Sequence, residues 1–219
     1  MAVVDAEYKF TMIDVGQMGS VSDGGVWDHS DVGSGWNQDK VNTPPPQRLP
    51  GTDVLTPYFL VGDEAFPLKP NLMRPFPGVQ TRQDFSKRRF NYRLSRARRV
   101  VENAFGILSS RWRCLFSPID APASKAKDIV KALCVLHNYL CSVRDGTHIP
   151  IGYADQVIRE GNVVDGFWRA EPDAYQLQRL VDQPPRHPPH NATDVRNTLK
   201  DWVANEGARA WQDGQLMRT

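Results

Sequence analysis

FNYRLSRARRVVENAFGILSSRWR, residues 90–113, is the stretch whose reading decides the fold. Leu94, Ala97, Val101, Ala104 or Phe105, and Leu108 recur at three- and four-residue steps, the pattern of a helix with one apolar face. Asn91 stands where an N-cap is expected. The stretch holds a single acidic residue, Glu102, among its arginines. Glu102 follows Val101 by about 100° of helical turn. It therefore lies on the border of the buried face, where a carboxylate can look along the core edge into a cleft. A pair with Arg98, one turn earlier, is the ordinary fate of such a helix acid.

The charge around this helix is uneven. Residues 82–113 hold ten Lys/Arg against Asp84 and Glu102, a net +8 in a chain whose formal total is +2. A cluster of this kind is an electrostatic footprint for phosphate backbones, or a solvated face, or a localisation signal. Arg88, Arg89, Arg93, Arg96 and Arg99 are the expected nucleic-acid contacts. The 219 residues, 40% of them hydrophobic, are enough to bury a core. Cys134 and Cys141 fall two turns apart on one expected helix, about 10 Å along its axis, too far for a disulfide. With Cys114 they read as reduced thiols of an intracellular protein. No CxxC pair suggests a metal knuckle. No run approaches the roughly 20 apolar residues of a membrane span, and the N-terminus has no signal-peptide pattern.

In chain order, residues 1–4 and 10–15 read as a hairpin with a turn at 5–8. Residues 16–25 are a glycine-rich loop, with Asp23 placed to cap a short helix. Residues 31–57 read as an extended, proline-marked connection. Tyr58 to Val61 fits a buried strand ending at Gly62-Asp63, so Asp63 sits at a strand's C-terminal end, where open α/β sheets place ligands. Residues 69–73 suggest a helical turn and 113–116 a short strand. Ser124 caps a helix running to about 143, with His137 on the edge of its apolar face, where a hydrogen-bonded packing role is the commoner one. Residues 145–192 carry few order signals, and PPRHPPH at 184–190 reads as a linker or surface loop. Thr193 is placed to cap a last helix that stops at Gly207, with Trp211 docking back onto the body.

NYRLSRARRVVENAFGILSSRW, preceded by VGDEAFPLKPNLMRPFPG and followed by CVLHNYL, resembles the Harbinger-type DDE transposases and their domesticated nuclease relatives. The opening VVDAEYKFTMIDVGQMGSVSDGGVW is similar to that family's strand-turn-strand and GSxxD segment. The resemblance covers residues 1 to about 143, with an echo at 194–212. It implies an α/β, RNase H-like (DDE) fold with C-terminal helices. The implied organisation is a partial nuclease domain at 1–143, an irregular connection at 144–192, and a C-terminal helix and docking segment at 193–212.

The family cleaves phosphodiesters with two divalent cations, Mg2+ or Mn2+, held by two aspartates and a glutamate. Carried over by motif, the second aspartate is Asp63 and the glutamate is Glu102, both catalytic and metal-binding. The first aspartate lies in the family on a strand upstream of the hairpin. Here Asp23, and after it Asp14, are the surrogates, and the central strand is expected to be missing. The resemblance further implies DNA as substrate, a Myb-like DNA-binding partner protein and a nuclear location. The competing reading is an inactive domesticated or relic fragment that binds nucleic acid through the basic helix. Three expectations follow: Asp63 and Glu102 converge; the sheet is interrupted or re-paired; the chain alone is marginally stable and inactive.

Overall fold

The long helix starts earlier than its apolar pattern suggested: α4 spans Phe85–Arg111. Asp84 caps it, its Oδ1 accepting the Lys87 N–H at 3.1 Å and the Ser86 hydroxyl at 2.5 Å. Asn91, expected as the cap, lies inside the helix. Its side chain instead pairs with the Phe76 N–H and C=O, each at 2.8 Å. Asp84, directly before the helix's first residue, outcompeted it, because its carboxylate reaches an unpaired N–H of the first turn.

The computed structural model describes residues 1–38, 40–143, 146–158, 161–170 and 188–216. Residues 184–187 of the proline- and histidine-rich run, with His187, lie outside them. The chain divides into two units.

One unit comprises Ser22–Asp28, Gly33–Arg98 and Asp182–Thr219. Its core joins Leu68, Met73, Phe76, Phe90, Leu94, Ala192 and Leu199. Phe90 and Leu94 come from the first half of α4, Ala192 and Leu199 from α6, His190–Ala204. The strand expected to be buried is β5, Leu60–Val61, which is only half-buried and pairs parallel with β6, Leu72–Met73. Residues 69–73 thus form a strand end, not a helical turn: Leu72 and Met73 are both buried, and their backbone continues the ladder from Leu60. The 31–57 connection also holds more order than its prolines and glycines suggested. It contains helix α2, Asp31–Asn37, and a hairpin of β3, Gln47–Arg48, and β4, Leu55–Thr56. Trp36 explains the helix; it is buried and its indole N–H reaches the Asn71 carbonyl at 3.1 Å. A tertiary anchor here overrides weak propensity. α3, Gly78–Thr81, precedes α4. At the other end, Pro189 rather than Thr193 takes the N-cap position of α6. α7, Trp211–Leu216, follows it.

The other unit comprises Met1–Val21, His29–Val32 and Arg99–Val181. Here the expected hairpin is present as β1, Ala2–Val4, antiparallel to β2, Phe10–Ile13. It packs on Ala104 and Leu108 of α4 and on Leu133 and Cys134 of α5, Ala123–Val143, with Phe10 at the centre. Ser124 falls within the first turn of α5 rather than at its cap. Residues 113–116, expected as a strand, form a 3-10 turn because Leu115 N–H folds back to the Trp112 carbonyl at 2.9 Å. The weakly patterned region after α5 holds β7, Gln156–Val157, paired with β8, Val163–Val164, and a 3-10 turn at Phe167–Ala170.

The architecture is mixed α/β. The described strands form four separate two-stranded sheets, so the expectation of an interrupted or re-paired sheet holds for them. Among the described residues, no helix is long and apolar enough to cross a membrane.

Candidate active site

Asp63 is positioned by the end of β5. The Gly62 N–H extends the ladder to the Met73 carbonyl at 2.9 Å, and the chain then turns. Asp63 Oδ1 accepts the Ala65 N–H at 2.9 Å, and its carbonyl accepts the Phe66 N–H at 3.3 Å. Gly62 suits this turn because a Cβ there would sit 3.0 Å from the Phe66 ring. With Oδ1 engaged by the turn, Oδ2 faces Arg98 Nη1 at 3.5 Å. Both side chains keep roughly a third of their surface in water, 33% and 30%.

Asp23 comes to the same turn. It is the first residue of α1, Asp23–His29. The cap is Ser22, whose hydroxyl accepts the Gly25 N–H at 3.3 Å, one residue before the expected position. Gly24 lets the helix start approach closely, since a Cβ there would lie 2.7 Å from the Ala65 carbonyl oxygen. Trp27 packs edge-on against Phe66, centroids 6.1 Å apart. Crowding by the protein raises the Asp23 pKa, the Asp63 charge raises it further, and Arg98 opposes both. A carboxylate whose ionisation a neighbouring carboxylate disfavours is a mark of a functional site. Asp14, the second surrogate, belongs to the hairpin unit and accepts the Gln17 amide at 3.1 Å.

Glu102 belongs to the hairpin unit. Its Oε2 lies 3.4 Å from Arg169 Nη2, with the carboxylate side chain 36% exposed. Arg169 is held elsewhere too. It forms a bidentate pair with Asp155, at 2.8 Å from Nε and 2.6 Å from Nη2, and stacks on Trp168 at 4.3 Å. Burial alone would raise the Asp155 pKa, yet Arg169, the Gly166 N–H and Arg99 hold it below the ordinary carboxylate value. The Arg169 guanidinium pKa is raised in turn, chiefly by its hydrogen bond to Asp155.

The next turn of α4 receives this segment. Asn103, buried, accepts the Trp168 indole N–H at 2.8 Å and the Asp155 N–H at 3.1 Å. Gly106 leaves the room: a Cβ there would lie 2.2 Å from the Trp168 ring. Sequence reading missed Asp155, Trp168 and Arg169. The signal that could have found their seat is the Asn and Gly of ENAFG, a polar residue and a helix breaker on one helix flank.

The expected nucleic-acid contacts are partly engaged inside the fold. Arg89 binds Asp213 in bidentate fashion, at 2.7 and 2.6 Å, and the Ala204 carbonyl at 3.0 Å. Arg93 donates to the Gly207 carbonyl, and Arg96 stacks on Trp211 at 4.6 Å. These three tie the C-terminal helices to α4, the docking expected of Trp211. Arg99 lies 3.6 Å from Asp155, and Arg88 covers the Phe85 ring at 4.9 Å.

A strand-end aspartate, a second carboxylate beside it and a glutamate on the long helix are set within residues that match a family model, that of the DDE superfamily endonucleases, over residues 1–138. The chain belongs to that family. It is 30% identical to Protein ALP1-like of Arabidopsis thaliana over 153 residues, 67% of this chain and 36% of that protein. It is 36% identical to Putative nuclease HARBI1 of Bos taurus and of Homo sapiens over 83 residues, 36% of this chain and 23% of each relative. The chain thus spans well under half the length of these curated relatives. No solved structure matches it.

Proposed function

We propose that this chain supplies the second and third acidic ligands of a divalent-metal-dependent DNA endonuclease of the transposase-derived type. By the resemblance, Asp63 and Glu102 are the residues that match those ligands, and Asp23 stands beside Asp63. The observation that carries the reading is the Asp63 turn: a carboxylate about a third exposed at a strand end, with Asp23 beside it pushed toward protonation. A divalent cation relieves that repulsion. The donor set is all carboxylate oxygen, which suits Mg2+ or Mn2+. Asp63 lies 3.5 Å from the Arg98 guanidinium and Glu102 lies 3.4 Å from that of Arg169. Pairs this exposed contribute about 0–1 kcal/mol, so a cation can displace them. Bound ions of this kind activate the attacking water or hydroxyl and stabilise the leaving oxygen of the phosphodiester. Asp23 is the surrogate for the family's first aspartate in this reading. DNA as substrate, a Myb-like partner protein and a nuclear location belong to the same proposal and rest on the resemblance.

Manganese titration of the chain, followed by the loss of the free-ion paramagnetic resonance signal, tests the reading. The wild type is expected to bind, and Asp63→Asn and Glu102→Gln each to weaken binding by at least about tenfold. Equal affinity in all three proteins, or no binding by the wild type, would overturn it.

A further inference from the structure

α5 carries a cluster that carboxylate chemistry does not use. His137 and Cys141 lie one turn apart on one face of α5, the i, i+4 spacing that stacks two ligands. His148 returns to them from the following loop. One ligating atom from each lies within 4.8 Å of the others. His137 and His148 are 0% and 6% exposed, and Cys141 is half-buried. All three belong to the hairpin unit.

The surroundings are built around the two rings. His137 Nε2 lies 2.8 Å from the Tyr8 carbonyl. A carbonyl only accepts, so the proton is on Nε2 and the lone pair is on Nδ1. His137 Nδ1 meets His148 Nε2 at 3.1 Å, and Cys141 Sγ is 3.4 Å from His137 Nε2. The Tyr8 carbonyl belongs to a left-handed residue, φ 65°, a conformation costing a non-glycine residue roughly 1–2 kcal/mol. Asn138, next to His137, fixes the hairpin from the same helix by pairing both backbone groups of Phe10 at 2.8 Å. The Phe10 ring packs on His137 at 5.1 Å, and Trp112 on His148 at 6.0 Å.

Two imidazoles and a thiolate form a borderline-soft set. It matches zinc and is a poor match for magnesium or manganese. Zinc–ligand bonds of about 2.0–2.3 Å in a tetrahedron place ligand atoms roughly 3.3–3.8 Å apart. The ligand atoms, within 4.8 Å of one another, need to close by up to about 1–1.5 Å to reach that spacing. A ring N–H given to a backbone carbonyl is also the usual outer support of a metal-bound histidine. A hydrogen-bonded histidine pair is the simpler alternative, and it has no use for the thiol.

We propose that His137, Cys141 and His148 form a structural zinc site, with water in the fourth position. On binding, the Cys141 thiol releases its proton to solvent, and the His148 ring proton moves from Nε2 to Nδ1. The ion then pins α5, the hairpin turn at Tyr8 and the loop at His148 to one another. This site is separate in ligand type and in residues from the one proposed at Asp63.

Chelator-stripped full chain is titrated with Co2+ as a spectroscopic probe and with Zn2+ by calorimetry. The wild type is expected to take one ion per chain and to show a thiolate-to-cobalt charge-transfer band. Cys141→Ser, which keeps the side-chain volume, should lose that band; His148→Gln should weaken zinc binding on the order of 100-fold. Cys114→Ser should change neither readout. Circular dichroism of the stripped variants separates lost ligation from lost folding. An absent band in the wild type, or a band that survives Cys141→Ser in a folded chain, would overturn the proposal.

Discussion

Asp155 and Asp63 are both aspartates facing arginines, and they are built for opposite ends. Asp155 keeps 3% of its side chain exposed, accepts a bidentate guanidinium and a backbone N–H, and has its pKa held down. Asp63 keeps 33% exposed, meets one guanidinium nitrogen at 3.5 Å, and has a second carboxylate for a neighbour. The first carboxylate has its lone pairs satisfied by the protein. The second has one oxygen tied to its turn and the other weakly held, which is the state in which a carboxylate can take a cation. Proximity to an arginine therefore says little by itself; saturation and exposure separate the structural acid from the candidate ligand.

The largest effect should come from the saturated side. Asp155→Ala strips Arg169 of its main partner and leaves the Gly166 N–H unmatched. Breaking a buried pair costs about 3–5 kcal/mol, and the partial exposure of Arg169 brings the expected loss nearer to about 2–4 kcal/mol, read by urea denaturation. The pH dependence has a definite sign. A carboxylate held below its ordinary pKa stabilises the fold above that ordinary value, 3.8 for aspartate, and the contribution is lost as pH falls through the folded-state pKa. Acid titration of wild type and Asp155→Asn should therefore diverge above that range and converge below it. Parallel curves would place Asp155 outside the stabilising core.

Gly106→Ala is next. Alanine gains about 1 kcal/mol of helix propensity, but its Cβ meets the Trp168 ring at 2.2 Å, and overpacking costs about 1–3 kcal/mol. The net expectation is destabilisation of about 0–2 kcal/mol, with increased proteolysis around Trp168. A more stable variant would show that this segment does not seat on α4 as described.

Arg89→Ala sharpens the reading of the basic helix. Loss of the bidentate pair with Asp213 should lower the melting temperature and cost about 1–2 kcal/mol. The slope of DNA affinity against salt separates the two roles: each lost phosphate contact flattens a log-log plot by about 0.9. Stability loss with an unchanged slope assigns Arg89 to the C-terminal docking; a flattened slope at full stability assigns it to nucleic acid.

The smallest effect should fall on the candidate site itself. Asp63→Asn is expected to change stability by less than about 1 kcal/mol, and Asp23→Asn to be neutral or slightly stabilising, because it removes a like-charge neighbour. A carboxylate whose pKa is raised in the fold penalises the folded state once it ionises, so the gain from Asp23→Asn should appear above the ordinary carboxylate range and vanish below it. A loss of several kcal/mol from either variant would make these acids structural, like Asp155.

The elements with strong local patterns were legible in the residues: the hairpin, α4, α5 and the strand ending at Asp63 each carry alternating or helical apolar spacing. Element ends were less legible, because Asp84 and Ser22 took caps that Asn91 and Asp23 also fit. What could not be read was order imposed from a distance. α2 depends on the Trp36–Asn71 bond, and the Asp155–Arg169 segment depends on a seat at Asn103 and Gly106 far earlier in the chain. Of the candidate site, Asp63, Glu102 and Asp23 were all named from motif. The coupling of Asp23 to Asp63 needed the fold, since it arises from Gly24 closing against the Ala65 carbonyl. His137 was read as a packing residue because a lone histidine on a helix edge gives no sign of a cysteine one turn on and a histidine returning from a loop.

Anomalous diffraction from crystals grown with Mn2+ tests the central claim most directly, because it locates the ion rather than inferring it. The account predicts manganese density at the free oxygen of Asp63, with Arg98 displaced from its 3.5 Å contact. Manganese absent from Asp63 at saturating concentration, with Arg98 still on the carboxylate, would contradict it.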